Sequence, residues 1–168
     1  MKFEGVKEPY FEYYMGLVKE EDLIEALENA CNSQIVFFKS IDDKKGNYRY
    51  AENKWSIKEI LQHLIDTERI FAYRALTFLR QEGAQLPGYD HDAYVSGLKL
   101  ENLPYDELVR EYTDLKRSNL FFFKNINSKD LKRSGIANGV TMSIAEIGKI
   151  MVGHAHHHME ILKDRYLK

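Results

Sequence analysis

A second cysteine, an apolar leader-like stretch, an apolar run of membrane length and a block of like charge are all missing from this sequence. A single cysteine, Cys31, in 168 residues excludes an internal disulfide. Its place on an apolar helical face makes it a core residue rather than a nucleophile. The opening stretch MKFEGVKEPYFEYY has no apolar h-region, and no segment approaches the run of about 20 apolar residues that a spanning helix needs. No membrane partner and a cytoplasmic location are therefore expected. A formal net charge of −2, without a long run of one sign, excludes the electrostatic footprint of a nucleic-acid binder. Repeats, low-complexity tracts and an interdomain linker are absent too. With 44% apolar and 30% charged residues, residues 1–168 read as one soluble globular domain.

What the chain does have is a concentration of histidine. Four of its six histidines fall in GHAHHHMEILKDRYL, residues 153–167. Residues i and i+4 of a helix share a face, so His154 and His158 are stacked neighbours. The same face carries Ile144, Ile147, Met151 and Ile161 at alternating steps of three and four, the apolar seam of a helix packed in a bundle. Two imidazoles thus stand where the pattern asks for Leu or Ile. An unsatisfied polar group there would be costly, and a metal ion is the most economical partner for neutral imidazole. His156 should point away from the seam. His157 should border it, supporting the ligands or sitting at the rim.

The rest of the chain supplies partners for that helix. Residues 8–18 read as a short helix or packed arm. A first long helix is expected from near Glu20, with Glu20, Glu21 and Asp22 at the positive end of its dipole. Its apolar face is Leu23, Leu27, Ala30, Gln34, Phe37 or Phe38, and Ile41. Residues 42–54 are a polar loop. The second helix opens with a capping box, Ser56 with Glu59, and a hydrophobic staple, Trp55 with Ile60, and runs to about Glu82. Residues 83–103 form a long connection containing LPGYDHDAYV. A third helix follows Pro104 with the stripe Leu108, Tyr112, Leu115, Asn119, Phe122 and Ile126. Residues 127–142 hold a turn and a glycine-containing loop or small hairpin. A second box, Ser143 with Glu146, and a staple of Met142 with Ile147 open the fourth helix, which continues to about Tyr166.

Four amphipathic helices predict an all-α fold, a four-helix bundle. The link of roughly 21 residues between the second and third helices is long enough to cross the bundle. These two helices should then run parallel, and the fourth antiparallel to the second. At the helical rise, His63 lies roughly 10 Å from the start of the second helix, and His154 and His158 about 12–18 Å from the end of the fourth. Antiparallel packing brings the three within about one turn of each other.

His63, His154 and His158 are accordingly the expected metal ligands, three neutral imidazoles that leave a coordination position open. Taken alone, His63 is more often explained by a hydrogen bond to a carbonyl; two seam histidines a turn apart would each need a partner. His91, in the long connection, is expected to be exposed. Glu59 and Glu146 are accounted for by the capping boxes. Arg69 and Arg74 are surface or ion-pair residues unless they face the cavity, where they would hold an anionic substrate. Asp66 and Glu68 flank His63 in sequence and are candidates for a general base. Tyr89, Tyr94 and Tyr112 join the two arginines as candidate cavity walls. Pairing into a homodimer through a helix face, covered by Tyr10, Phe11, Tyr13 and Tyr14, and packing of that arm on its own bundle are both open.

The stretches WSIKEILQHLIDTERIF (55–71), LPGYDHDAYV (86–95) and GHAHHHMEILKDRYL (153–167) resemble the DinB/YfiT-like metalloenzyme family, from about Val18 onward. The resemblance implies a four-helix bundle with a long crossover between helices 2 and 3, and a metal triad matching His63, His154 and His158. It implies a divalent ion, zinc or nickel, and a small-molecule substrate. It also implies transfer to low-molecular-weight thiols such as bacillithiol, mycothiol or glutathione, or related isomerisation. The chain departs from many relatives in carrying Ile161 where they have glutamine, and His157 fits an H-x-x-H-H subgroup. Coordination lowers the pKa of a thiol or of water. The leading expectation is therefore a transferase joining a small thiol to an electrophile. A metal-dependent hydrolase of a small amide or ester comes next, and a non-catalytic metal-binding stress protein is the third alternative.

Overall fold

A computed structural model describes residues 10–168. Its helices are α1 (Tyr10–Gly16), α2 (Leu23–Lys39), α3 (Ile57–Arg80), α4 (His91–Ser96), α5 (Tyr105–Lys124) and α6 (Ile144–Arg165). Strands β1 (Gln85–Leu86), β2 (Ser134–Ala137) and β3 (Val140–Ser143) form one small sheet. The long helices α2, α3, α5 and α6 make the bundle. The expected arm, where it is described, is α1; residues 8 and 9 lie outside the described residues.

Local chemistry sets the helix starts. Asp22 caps α2 by accepting from the Glu25 N–H at 2.8 Å. Both expected capping boxes are present, Ser56 with Glu59 and Ser143 with Glu146. Each satisfies two backbone donors that a helix start leaves without partners. Asn138 and Gly139, both at positive φ, make the β2–β3 turn, the Asn-Gly pairing a two-residue hairpin favours.

The crossover is held by the hairpin. β1 adds to β2 in parallel, Gln85 opposite Ile136 and Leu86 opposite Ala137, and the Asn138 N–H donates to the Leu86 carbonyl at 3.1 Å. This third strand was not apparent in the sequence, because two residues carry no readable alternation. Helix directions follow from end-to-end contacts. The Tyr105 hydroxyl, at the start of α5, donates to the Phe38 carbonyl at the end of α2. Lys58, early in α3, donates to the Leu100 carbonyl just before α5. Tyr166, just past α6, donates to the Trp55 carbonyl just before α3. Thus α3 and α5 run parallel, and α6 runs antiparallel to α3, as the link length predicts.

Two apolar clusters fill the bundle. One gathers Leu27, Phe71, Phe78, Phe123, Ile144 and Ile147; the other gathers Phe38, Ile57, Leu61, Leu64, Tyr112 and Leu162. In each long helix the change from one cluster to the other falls at buried polar residues: Gln34, Thr67 with Glu68, Lys116 with Asn119, and His154. Some seam assignments move by one residue. Phe123 rather than Phe122 and Leu162 rather than Ile161 are fully buried, and of the two alternatives Phe37 and Phe38 it is Phe38 that fills the core. Adjacent apolar residues give the period no means of choosing; the neighbouring helix chooses.

This polar layer is satisfied internally. The Tyr112 hydroxyl donates to Gln34 Oε1 at 2.9 Å. Glu68 accepts from Lys116 Nζ at 2.9 Å and from Asn119 Nδ2 at 2.7 Å. Both charged side chains of that pair are almost wholly buried, 4% and 3% exposed. Removing one partner strands the other charge in the core. Glu68→Ala should therefore lose about 3–5 kcal/mol in denaturant titrations, and the double change Glu68→Met with Lys116→Met should recover most of it.

Candidate metal centre

Three imidazoles from two antiparallel helices meet inside the bundle. The Nε2 atoms of His63 and His154 lie 3.1 Å apart, as do those of His158 and His154. One ligand nitrogen from each histidine lies within 4.8 Å of the others. His63 is 5% exposed, His154 7% and His158 not at all. Trp55 flanks the His63 ring and Tyr14 the edge of His154, with ring centres 5.0 and 5.1 Å apart respectively.

Burial keeps these rings neutral. Desolvation, with His91 nearby, pushes the His63 pKa down to about 3. Desolvation, reinforced by the other imidazoles, holds His154 and His158 well below the ordinary histidine range. A neutral imidazole nitrogen carries either one hydrogen or one lone pair. The Nε2 of His154 faces two others, so it can complete a good hydrogen bond with only one of them. A cation accepts all three lone pairs at once. Nitrogens bound to one ion at about 2.0–2.1 Å stand roughly 2.8–3.4 Å apart for bond angles between square and tetrahedral. The 3.1 Å separations of His154 from His63 and from His158 fall in that interval, so the donor set suits a divalent ion.

Two of the three rings face open space. His63 and His154 line a cavity of about 250 Å³, whose other walls include Tyr14, Thr67, Phe71, Arg74, Tyr89 and His91. His158 lies behind them in the core. Helix α1 closes the cavity from above, and Gly153 allows this: a Cβ there would collide with the Tyr14 carbonyl. His157 does not reach the cavity. It is half-buried, and its Nδ1 lies 3.2 Å from the Tyr13 hydroxyl, so it docks α1 on α6. His156 is exposed, as its spacing predicts.

The other sequence candidates separate by position. Arg74 and Tyr89 face the cavity, and Tyr89 pairs with the Thr67 hydroxyl at 2.9 Å. Asp66 does not line it and accepts from Gln62 Nε2 at 2.9 Å. Glu68 turns to Lys116 and Asn119, and Arg69 pairs with Glu111 at the surface. Tyr112 lies in the core against Gln34, and Tyr94 is largely exposed beside Tyr89. Glu59 is held by Arg49 and its capping box, as expected. His91 departs from expectation: it starts α4, lines the cavity, and its ring centre lies 5.9 Å from that of His63. Only the fold of the crossover brings it there. The Asp90-His91-Asp92 run offers a weak helix-start signal and nothing that points to a site.

Fold and trio together define a four-helix bundle with a three-histidine centre. The chain belongs to the DinB superfamily, whose family model matches residues 26–162. Among solved structures it is similar to YfiT from Bacillus subtilis, described as a probable metal-dependent hydrolase with an unusual four-helix bundle topology. That likeness has a TM-score of 0.71 at 17% identity and covers 96% of this chain and 88% of the other. At that identity it establishes the fold alone. Among curated proteins none matches this chain. No helix among the described residues is long and apolar enough to cross a membrane.

The lowered histidine pKa values set a pH dependence. The unfolded chain binds these protons more readily than the folded one, so acid favours unfolding. In chelator, stability should be full above pH 6.5, the ordinary histidine value, and decline as pH falls toward about 3, the folded value of His63. Thermal melts across that range check it; a melting temperature that stays flat between pH 7 and 4.5 contradicts neutral buried imidazoles.

Proposed function

We propose that this chain is a metal-dependent enzyme that holds one divalent ion on His63, His154 and His158 and hydrolyses a small molecule seated in the adjoining cavity. The observation that carries this reading is the convergence of three neutral Nε2 atoms beside an opening. An all-imidazole set suits zinc, nickel, copper and iron, and the family resemblance favours the first two. When bound, such an ion supplies Lewis acidity and lowers the pKa of water or of a thiol. The chain's own residues do the rest. His63 and His154 present their lone pairs to the cavity, and His158 completes the set from the core. Trp55, Tyr14 and Phe71 exclude bulk water, and Tyr89 and Thr67 offer hydroxyls to a bound substrate. His91 is placed where it can take or return a proton. A cavity of about 250 Å³ lies just below the usual range for ligand pockets, roughly 300–1,000 Å³, which suits one small substrate with water. The description of YfiT supports the same reaction class.

Transfer of a low-molecular-weight thiol to an electrophile is the second reading. One observation favours it: among the described residues no carboxylate lines the cavity. A thiol deprotonated by coordination needs no such base.

Metal analysis of protein purified without a histidine tag should find about one ion per chain on this open three-ligand site. His63→Ala should lose it, and unchanged metal content in that variant sinks the ligand assignment. Turnover of small esters and amides should then be abolished by chelator and restored by zinc or nickel. Thiol consumption with a model electrophile, in place of hydrolysis, decides for the second reading.

A further inference from the structure

The cavity runs from the imidazole trio to a buried cation. Arg74 is only 3% exposed, yet it lines the cavity together with His63 and His154. Its Nη2 donates to the Pro87 carbonyl at 3.3 Å, and its guanidinium carbon stands 5.2 Å from the centre of the Phe71 ring. Among the described residues no carboxylate pairs with it. The contrast with Lys116, buried to the same degree, is direct: Lys116 has Glu68. A guanidinium carries five N–H donors in a planar fork that matches an oxyanion. Leaving such a charge buried without a counter-charge is costly, and the guanidinium faces the cavity.

The geometry points to an oxyanion subsite at Arg74, so that the substrate carries a carboxylate or phosphate at the end remote from the imidazole trio. Where the chemistry happens rests on the metal-dependent reading proposed above; the anion's seat does not. Helix α3 turns His63, Thr67, Phe71 and Arg74 toward the cavity in sequence. The backbones of His63 and Arg74 are roughly 16 Å apart at the helical rise. A long side chain leaning back toward the helix N-terminus shortens that gap. The anion and the reacting group are therefore separated within one elongated molecule, and Phe11, Tyr14 and Phe71 provide the wall along its middle. Burial raises the pKa of Tyr89, so its hydroxyl is a protonated donor beside the guanidinium.

Calorimetric titration with three probes of one shape tests this: phenylacetate, phenyl phosphate and the neutral phenylacetamide. Each is titrated into the metal-loaded and the chelated full-length protein. At least one anion should bind about tenfold or more tightly than the amide, the range expected for hydrogen bonds to a charged group. That preference should persist after chelation, and the stronger anion identifies carboxylate or phosphate. Arg74→Met should abolish the preference while keeping its metal, and Arg74→Lys should keep part of it. The inference is overturned if the wild type does not distinguish the amide from the anions. It is overturned equally if the preference vanishes with the metal or survives in Arg74→Met. The wild-type comparison needs no variant, so a poorly folding Arg74→Met does not shield it. Wild-type protein that prefers the anion yet binds no metal supports the subsite and removes the metal-dependent reading. Metal on the three histidines without anion preference does the reverse.

Discussion

Three neutral imidazole nitrogens are brought together inside the bundle, beside a small cavity, and much of the fold follows from that. A buried lone pair has to be met by a proton or a cation, and His154 cannot satisfy both of its neighbours with protons. The histidines must come from rigid elements, because a looser scaffold would let the rings turn to water. Here α3 and α6 supply them in the body of the bundle, between two apolar clusters. The capping boxes fix where these two helices begin, and their antiparallel packing brings His63 opposite His154 and His158.

Around this centre the bundle tolerates an unusual amount of buried polarity because nearly every group has an internal answer. Gln34 joins Tyr112 to the Val152 carbonyl, and Glu68 joins Lys116 to Asn119. These pairs consume the polar side chains that sequence position alone would assign to catalysis. Glu68 is the clearest example, since it stands five residues from His63 and faces another helix. Arg74 differs from its buried neighbours in facing open space instead of a carboxylate. The parts of the chain outside the four long helices complete the cavity. Helix α1 covers it through a close approach at Gly153, and the crossover delivers Tyr89 and His91, pinned by the strand it adds to the hairpin.

How far the sequence could be read depended on the kind of signal. Four long helices, both capping boxes, the hairpin and the sense of the crossover were legible, because each rests on residues close together in the chain or on a link length. The convergence of the three histidines was legible because two of them interrupt an apolar seam one turn apart. The exact seam residues in FF and FFF runs were not, since neighbouring phenylalanines satisfy the same period. Nor were the roles of Asp66 and Glu68, which depend on which helix lies opposite. His91 was missed outright, for its loop carries no period at all.

By itself, then, the sequence determined the bundle, its topology and the three histidines, because helix-forming patterns and caps act over a few residues and survive any choice of neighbour. Only the tertiary structure decided which charged side chains are spent on one another and which remain available to a ligand. That division depends on distances across helices, and no spacing along the chain encodes it. Glu68 and Arg74 lie on the same helix, six residues apart, and their surroundings alone make one a core ion pair and the other a cavity wall.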